Sequence, residues 1–313
     1  MIKFMTRRTA TLVAAVLLSS FAVFLIPYVT PGDPVRKIIR SRVAGDVVDD
    51  STVESLGVSL GLHDPLFVQY LRWLGSFLSG DMGLSYVSRT PVAEQVMPAL
   101  AVTVSLVAAA LGTAVLVSLP LGTAAALRQG RRTDRLITAV TQSFIAMPEY
   151  WLAPMLVLLF ALKLAVLPSA GWNDAASVVL PAATLALRPI SYFTAAVRSG
   201  MLDALSSDHV FAARARGLGK TRTVLSHVIP NGLVPLSTLF AVWFAGLLGG
   251  SVIVEVIFAV PGMGRLLYDA VVNSDIPLAQ GGVVVVVALA VGITTLADFV
   301  HRVLSPQAGA GLA

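Results

Sequence analysis

Ser206-Ser207-Asp208-His209-Val210-Phe211-Ala212-Ala213-Arg214-Ala215-Arg216-Gly217-Leu218-Gly219-Lys220-Thr221 is a polar, basic island in an otherwise apolar chain. On either side of it, Val178–Val197 and Leu233–Val254 each run for roughly 20 residues, the length a helix needs to cross a hydrocarbon core about 30 Å thick. Further out, Thr9–Val29, Leu100–Leu127, Leu136–Leu164 and Gln280–Val300 repeat the pattern. Backbone amides and carbonyls find no water in lipid, so these runs are predicted to be helices. The expected fold is all-α, a polytopic membrane protein with six transmembrane helices. Composition agrees: of 313 residues 56% are hydrophobic and 12% charged, and the mean hydropathy is +0.83. Soluble domains hold roughly 45–50% apolar residues. Pro120, Pro148, Pro154 and Pro189 fall inside runs, where membrane helices tolerate them.

Charge sets the expected orientation. With the amino terminus inside, the inner segments carry Lys3, Arg7 and Arg8, then Arg128, Arg131, Arg132 and Arg135, then Arg198, Arg214, Arg216, Lys220 and Arg222, and finally Arg302. The acids there are Asp134, Asp203, Asp208 and Asp298. Outside, Arg36, Lys37, Arg40, Arg42, Arg72 and Arg89 share one long loop, which weighs little in the positive-inside rule, and Lys163 and Arg265 stand apart. Both termini are therefore placed in the cytoplasm. The first run follows a basic start but is longer than the 7–15 apolar residues of a signal peptide, and no A-x-A-type site follows, so it is read as an uncleaved anchor. The basic clusters lack the aromatic interleaving of a nucleic-acid surface, so no nucleic acid is expected. With no cysteine and four scattered histidines, His63, His209, His227 and His301, no metal or redox site is signalled.

The chain thus divides into residues 1–29 with the first span, an extracytoplasmic insertion over 30–98, a core of five spans over 99–300, and a cytoplasmic tail over 301–313. The insertion is expected to be folded. Ser51-Thr52-Val53-Glu54 has capping-box spacing, and Leu66, Phe67, Tyr70, Leu71, Leu74, Phe77 and Leu78 stripe one helix face that Gly80 can end. It can serve as an amphipathic cap on the membrane part or as a docking surface.

Within the cytoplasmic loop 198–232, Ser207 or Asp208 can cap a short helix and Gly217 or Gly219 can stop it in a left-handed conformation, giving two short helices on a basic surface. Gly219-Lys220-Thr221 looks like the end of a phosphate-binding loop, but G-x-x-x-x-G-K-[ST] needs glycine where Arg214 stands, and no strand precedes it. ATP is not bound by that motif. Two readings fit these residues alone: a positive-inside helix that anchors topology, and a docking element for a cytoplasmic partner.

Several fragments, in this order, resemble a known family. They are Thr30-Pro31-Gly32-Asp33-Pro34, Leu60-Gly61-Leu62-His63-Asp64-Pro65 leading to Gln69-Tyr70-Leu71, Gly80-Asp81-Met82-Gly83-Leu84-Ser85, Val260-Pro261-Gly262-Met263-Gly264-Arg265-Leu266, and Asp275-Ile276-Pro277. They resemble the membrane permeases of binding-protein-dependent ABC importers, and among these the first permease of oligopeptide and dipeptide systems. That family's cytoplasmic signature, E-A-A-x-x-x-G, nine residues, then I-x-L-P, is matched here by Phe211-Ala212-Ala213-Arg214-Ala215-Arg216-Gly217 and, nine residues on, His227-Val228-Ile229-Pro230. Phe211 and His227 depart from it in a way that looks like the peptide-permease version. The resemblance implies a type I ABC importer permease fold in the inner membrane. It makes Asp208, Phe211, Ala212, Ala213, Arg214, Ala215, Arg216, Gly217 and Leu218 a coupling helix for the ATPase. It also implies the partners: a second homologous permease, two cytoplasmic ATPase subunits that hold ATP and magnesium, an extracytoplasmic binding protein and a peptide substrate. No cofactor is expected on this chain, which would transmit a conformational change and catalyse no reaction. The cargo is left open among dipeptides, oligopeptides, glutathione, haem and nickel complexes.

Ionisable residues within spans are functional candidates by default. At 1.5 Å per residue, Glu149 lies roughly 20 Å from the inner face and Arg188 roughly 15 Å. They are expected either to pair, locking the third span to the fourth, or to line the path, with Arg188 meeting a substrate carboxylate. Gly246-Leu247-Leu248-Gly249-Gly250 holds a small-xxx-small pair, which permits close helix approach, as plain packing sooner than as a dimer seam, and is not taken as a site. A secondary transporter would show inverted repeats and several intramembrane acids, where essentially one is found. An intramembrane hydrolase would show a G-x-S-x-G elbow or a histidine within a span.

Overall fold

The computed structural model describes residues 2–33, 35–38, 50–59 and 61–304. The 39–49 stretch of the insertion, with Arg40 and Arg42, and the tail beyond Leu304 lie outside the described residues, as do the side chains of Lys3, Lys220, Asp298 and Arg302. Among the described residues the regular structure is helical, joined by turns and short irregular stretches, with one isolated antiparallel bridge between Leu84 and Pro91.

Four helices are long and apolar enough to cross a membrane: Thr6–Val29, Val92–Leu127, Ala175–Leu205 and Ile276–Ala297. They coincide with four of the six predicted runs. The third run is not one straight helix. It is a pair, Arg132–Ala146 and Glu149–Lys163, bent by 103°, which gives five spans if the pair is counted as one. The cause is local: the ring of Pro148 bars its predecessor from helical geometry, and Met147 is extended at φ −84°, ψ 115°. Pro154, by contrast, stays within the Glu149–Leu156 helix, which passes into a π-helical stretch over Val157–Lys163. The fifth run is also interrupted. Val234–Gly250 has 17 residues, and after a turn at Ser251 the chain resumes as Val252–Ile257.

The chain divides into two compact units, the first formed by Met1–Thr103 with Pro261–Gly292. Its core is Val92, Val96, Met263, Ala270 and Leu278. The Leu66–Leu78 helix ends as expected at Gly80, whose φ is +91°: Gly80 N–H donates to Phe77 O at 3.1 Å and Asp81 N–H to Ser76 O at 2.9 Å, a Schellman pair. The buried face of that helix differs from the predicted stripe. Gln69 and Tyr70 are buried, while Leu66, Phe67, Leu71 and Leu78 are exposed. The difference comes from the first helix, which offers aromatic and polar partners: Tyr70 stacks edge-on against Phe21 with ring centroids 5.1 Å apart and hydrogen-bonds Ser20 Oγ at 2.8 Å. Such ring pairs contribute about 0.5–1.5 kcal/mol each. The Asp50–Ser59 helix begins one residue before the Ser51 capping signal. Two of the sequence fragments quoted above meet here: the buried Asp275 carboxylate accepts from Ser85 Oγ and from Tyr86 N–H.

The second unit comprises Val104–Val260 with Ile293–Ala313. Its axis is the Ala175–Leu205 helix, started by a capping box between Asp174 and Ser177 and buried along Leu185, Phe193 and Val197. Ser191 Oγ donates to Thr141 O on the Arg132–Ser143 helix. A methyl group added at Gly122 would lie 2.7 Å from Val197, so this contact depends on glycine.

Candidate functional site

The predicted 198–232 loop begins inside the Ala175–Leu205 helix, which runs past Arg198 to Leu205, so the segment leaves the helix only at Ser206. Ser207 occupies the N-cap of the Asp208–Ala215 helix at ψ 150°, yet its hydroxyl donates backward to Ala204 O at 2.5 Å and does not cap. Asp208, in the first turn, complements the helix dipole instead. The stop is Gly217, at φ +82°: its N–H donates to Arg214 O at 2.9 Å and Leu218 N–H to Ala213 O at 3.2 Å. This Schellman pair needs the left-handed geometry that glycine adopts without strain. A second helix, Lys220–Thr223, follows, and Thr223 Oγ1 donates to Gly219 O at 3.1 Å. The Gly-Lys-Thr triplet thus sits at the start of a four-residue helix, without the strand-to-helix setting of a phosphate loop.

Burial sorts the nine predicted coupling residues. Val210 and Ala213, three apart and on one face, are 0% exposed. Phe211 is 76% exposed, and Asp208, Ala212, Arg214, Ala215, Arg216 and Gly217 are exposed with it, while Leu218 is half-buried. Ala213 therefore belongs to the chain's own packing, and the surface open to a partner is an exposed phenylalanine with two arginines.

The base of the loop is held by two contacts that sequence reasoning missed. Arg198 donates from Nε and Nη2 to both oxygens of Asp134, at 2.7 and 2.8 Å, and Asp134 also accepts from Gly130 N–H at 2.9 Å. Asp134 is 4% exposed and is ringed in sequence by exposed Arg128, Arg131, Arg132 and Arg135. Two residues beyond Arg198, Gly200 meets Gly232: a Cβ at Gly200 would lie 2.3 Å from Gly232 O. The loop thus starts and ends on one backbone contact.

Glu149 and Arg188 both line a cavity of about 590 Å³ together with Tyr150 and Trp243. Of the two arrangements expected, a direct ion-pair contact is not formed: the break at Met147–Pro148 sets Glu149 at the start of a new helix, where the two charges share a cavity. Gly246 and Gly250 line the same cavity with no atom within 4 Å of where a Cβ would stand. In this chain they therefore provide space, where close helix packing was expected. Glu255, one residue past the predicted fifth run, is a further buried acid and accepts from Ser251 Oγ at 2.7 Å.

Residues 118–309 match the family of binding-protein-dependent transport system inner membrane components, and residues 1–107 match the N-terminal component of such systems. The chain belongs to this family. It is 32% identical over 307 residues to the metal-staphylopine import system permease CntB of Staphylococcus aureus strain Mu50, covering 98% of each chain. It is 34% identical over 306 residues to the glutathione transport system permease GsiC of Salmonella paratyphi A, again covering 98% of each. A Brucella abortus strain 2308 protein with a provisional peptide-transport permease name is 33% identical over 309 residues, covering 96% of this chain and 97% of that one. Among solved structures, the inward-facing MetNI methionine ABC transporter superposes with a TM-score of 0.56 at 18% identity, covering 67% of this chain and 96% of the other, a likeness of fold. The protein is therefore a multi-pass inner membrane permease subunit of an ABC importer. Its relatives are transporter subunits and not enzymes.

Proposed function

We propose that this permease is one of two homologous transmembrane subunits that carry peptides, delivered by an extracytoplasmic binding protein, across the inner membrane. It spans the membrane six times with both termini in the cytoplasm, and its Asp208–Ala215 helix docks on one of two cytoplasmic ATPase subunits. ATP and magnesium reside on those subunits. Closure of the ATPases moves the helix, and the Ala175–Leu205 helix passes that movement to the path, whose wall includes Glu149 and Arg188. The observation that carries this reading is the exposure of Phe211 beside Arg214 and Arg216 on a helix whose opposite face is buried. An aromatic ring left open next to arginine is the composition of an interface anchor. Peptide cargo is supported by the relatives that carry peptide and glutathione transport names.

Phe211→Asp tests the docking. Phe211 touches little of its own chain, so the substitution should leave stability within about 0.5 kcal/mol. Loss of a docking anchor costs about 2 kcal/mol or more, so ATP hydrolysis stimulated by loaded binding protein should fall about 30-fold. Unchanged stimulation, with the ATPase still co-purifying, would overturn the assignment.

A further inference from the structure

We propose that the Glu149–Arg188 cavity is a binding pocket for a zwitterionic solute, holding its ammonium at Glu149 and its carboxylate at Arg188. The proposal rests on the permease reading and adds to it a site within this chain where cargo is recognised during passage.

The first observation is that charges of opposite sign line one cavity, near enough for Arg188 to act on Glu149 through its charge but without a direct ion-pair contact between them. Ionisable side chains are costly in a membrane protein unless something meets them. Two unjoined opposite charges are complementary to a molecule that carries both signs at its ends, as a free peptide does. The second observation is shape. About 590 Å³ falls within the 300–1,000 Å³ of small-molecule sites. Gly246 and Gly250 line the cavity without side chains, so the space comes from the sequence itself. The third is the wall. Trp243, steadied by Tyr192 at a ring-centroid distance of 5.2 Å, offers an aromatic face, as does the exposed Tyr150. Such faces accept apolar side chains and cations alike. The pocket also adjoins the break at Met147–Pro148, and interrupted helices beside a cavity recur at transport sites. A pocket that grips the two ends and leaves the middle to aromatic and glycine surface would select for free termini and tolerate varied side chains.

The test is equilibrium binding of radiolabelled trialanine, N-acetyl-trialanine and trialanine amide to the assembled importer in lipid nanodiscs, without binding protein. Wild type should bind trialanine saturably and the two capped forms more weakly. Arg188→Gln should weaken trialanine about tenfold or more and erase the difference between acid and amide. Glu149→Gln should erase the difference between free and acetylated amine. Gly246→Leu, whose Cβ meets no atom within 4 Å and whose side chain takes up cavity space, should abolish binding of all three while leaving subunit assembly intact. No saturable binding by wild type, binding indifferent to all three substitutions, or loss of assembly in Gly246→Leu would overturn the pocket. Stimulation of ATP hydrolysis by loaded binding protein, measured in parallel, separates the two claims: if it persists while trialanine fails to bind, only the pocket falls, and if wild type shows none, the permease reading falls with it.

Discussion

Gly200→Leu is expected to prevent accumulation of folded protein, and Gly200→Ala to lower the melting temperature by several degrees. The contact is between main chains. A Cβ at Gly200 would stand 2.3 Å from Gly232 O and 3.1 Å from Gly232 C, and a Cβ at Gly232 would stand 3.0 Å from Met201 N. Neither helix can relieve this by turning a side chain. The Ile229–Gly232 helix would have to move off the Ala175–Leu205 helix, and everything between them would move with it. Overpacking of this kind costs about 1–3 kcal/mol for one methyl and more for a branched side chain, against a total stability of about 5–15 kcal/mol. Thermal unfolding of a fluorescent fusion, followed by size exclusion in detergent, measures the loss. Gly249→Ala is the control. No atom lies within 4 Å of a Cβ there, and alanine favours a helix by about 1 kcal/mol over glycine, so its melting temperature should hold or rise.

Asp134→Asn should destabilise by about 2–3 kcal/mol. Removing one partner of a buried ion pair costs about 3–5 kcal/mol, and Arg198, whose side chain is 30% exposed, can recover part of that from water. The loss should concentrate at the base of the loop, so amides of residues 198–232 should exchange faster than those of the first unit. The double substitution Asp134→Leu with Arg198→Met removes both charges at once and should be milder than Asp134→Asn alone, because no charge is left stranded. A double-mutant cycle read by thermal unfolding gives the coupling between the two side chains, expected to exceed 1 kcal/mol, the lower part of the range of about 0.5–3 kcal/mol for residues in contact.

These two contacts also mark what the sequence does not reveal. Apolar runs and a basic island carry their meaning locally, so four long helices and the short Asp208–Ala215 element are legible, although Val92–Leu127 begins and Ala175–Leu205 ends several residues outside the apolar run, where polar residues continue the helix beyond the lipid-length stretch. Its stop at Gly217 is readable because glycine after a short helical pattern has one common use. The Asp134–Arg198 pair spans 64 residues, and no spacing rule links them. The available hint was that a lone acid sat among four arginines. Met147-Pro148 was readable in principle, since a residue before proline avoids helical geometry; the apolar continuity of Leu136–Leu164 outweighed it, although hydropathy is blind to the backbone. The glycines at 246 and 250 show the same blindness from the other side. Their spacing fits close packing, yet whether a glycine faces a neighbour or a cavity depends on what lies opposite, which one chain segment does not encode. Glu255 falls one residue beyond an apolar run, where charge reads as a loop.

The docking of Asp208–Ala215 on an ATPase is tested most directly by proximity. The chain has no cysteine, so a single one introduced at position 215 is the only one this chain carries. In the assembled importer, Ala215→Cys, exposed on the same helix with the Phe211 anchor left in place and labelled with a benzophenone maleimide, should cross-link on irradiation to the ATPase subunit, and the same label on Arg131→Cys, exposed at the foot of another helix, should yield far less of that product. A position-215 label that gives no ATPase adduct, or no more than position 131 gives, would contradict the assignment.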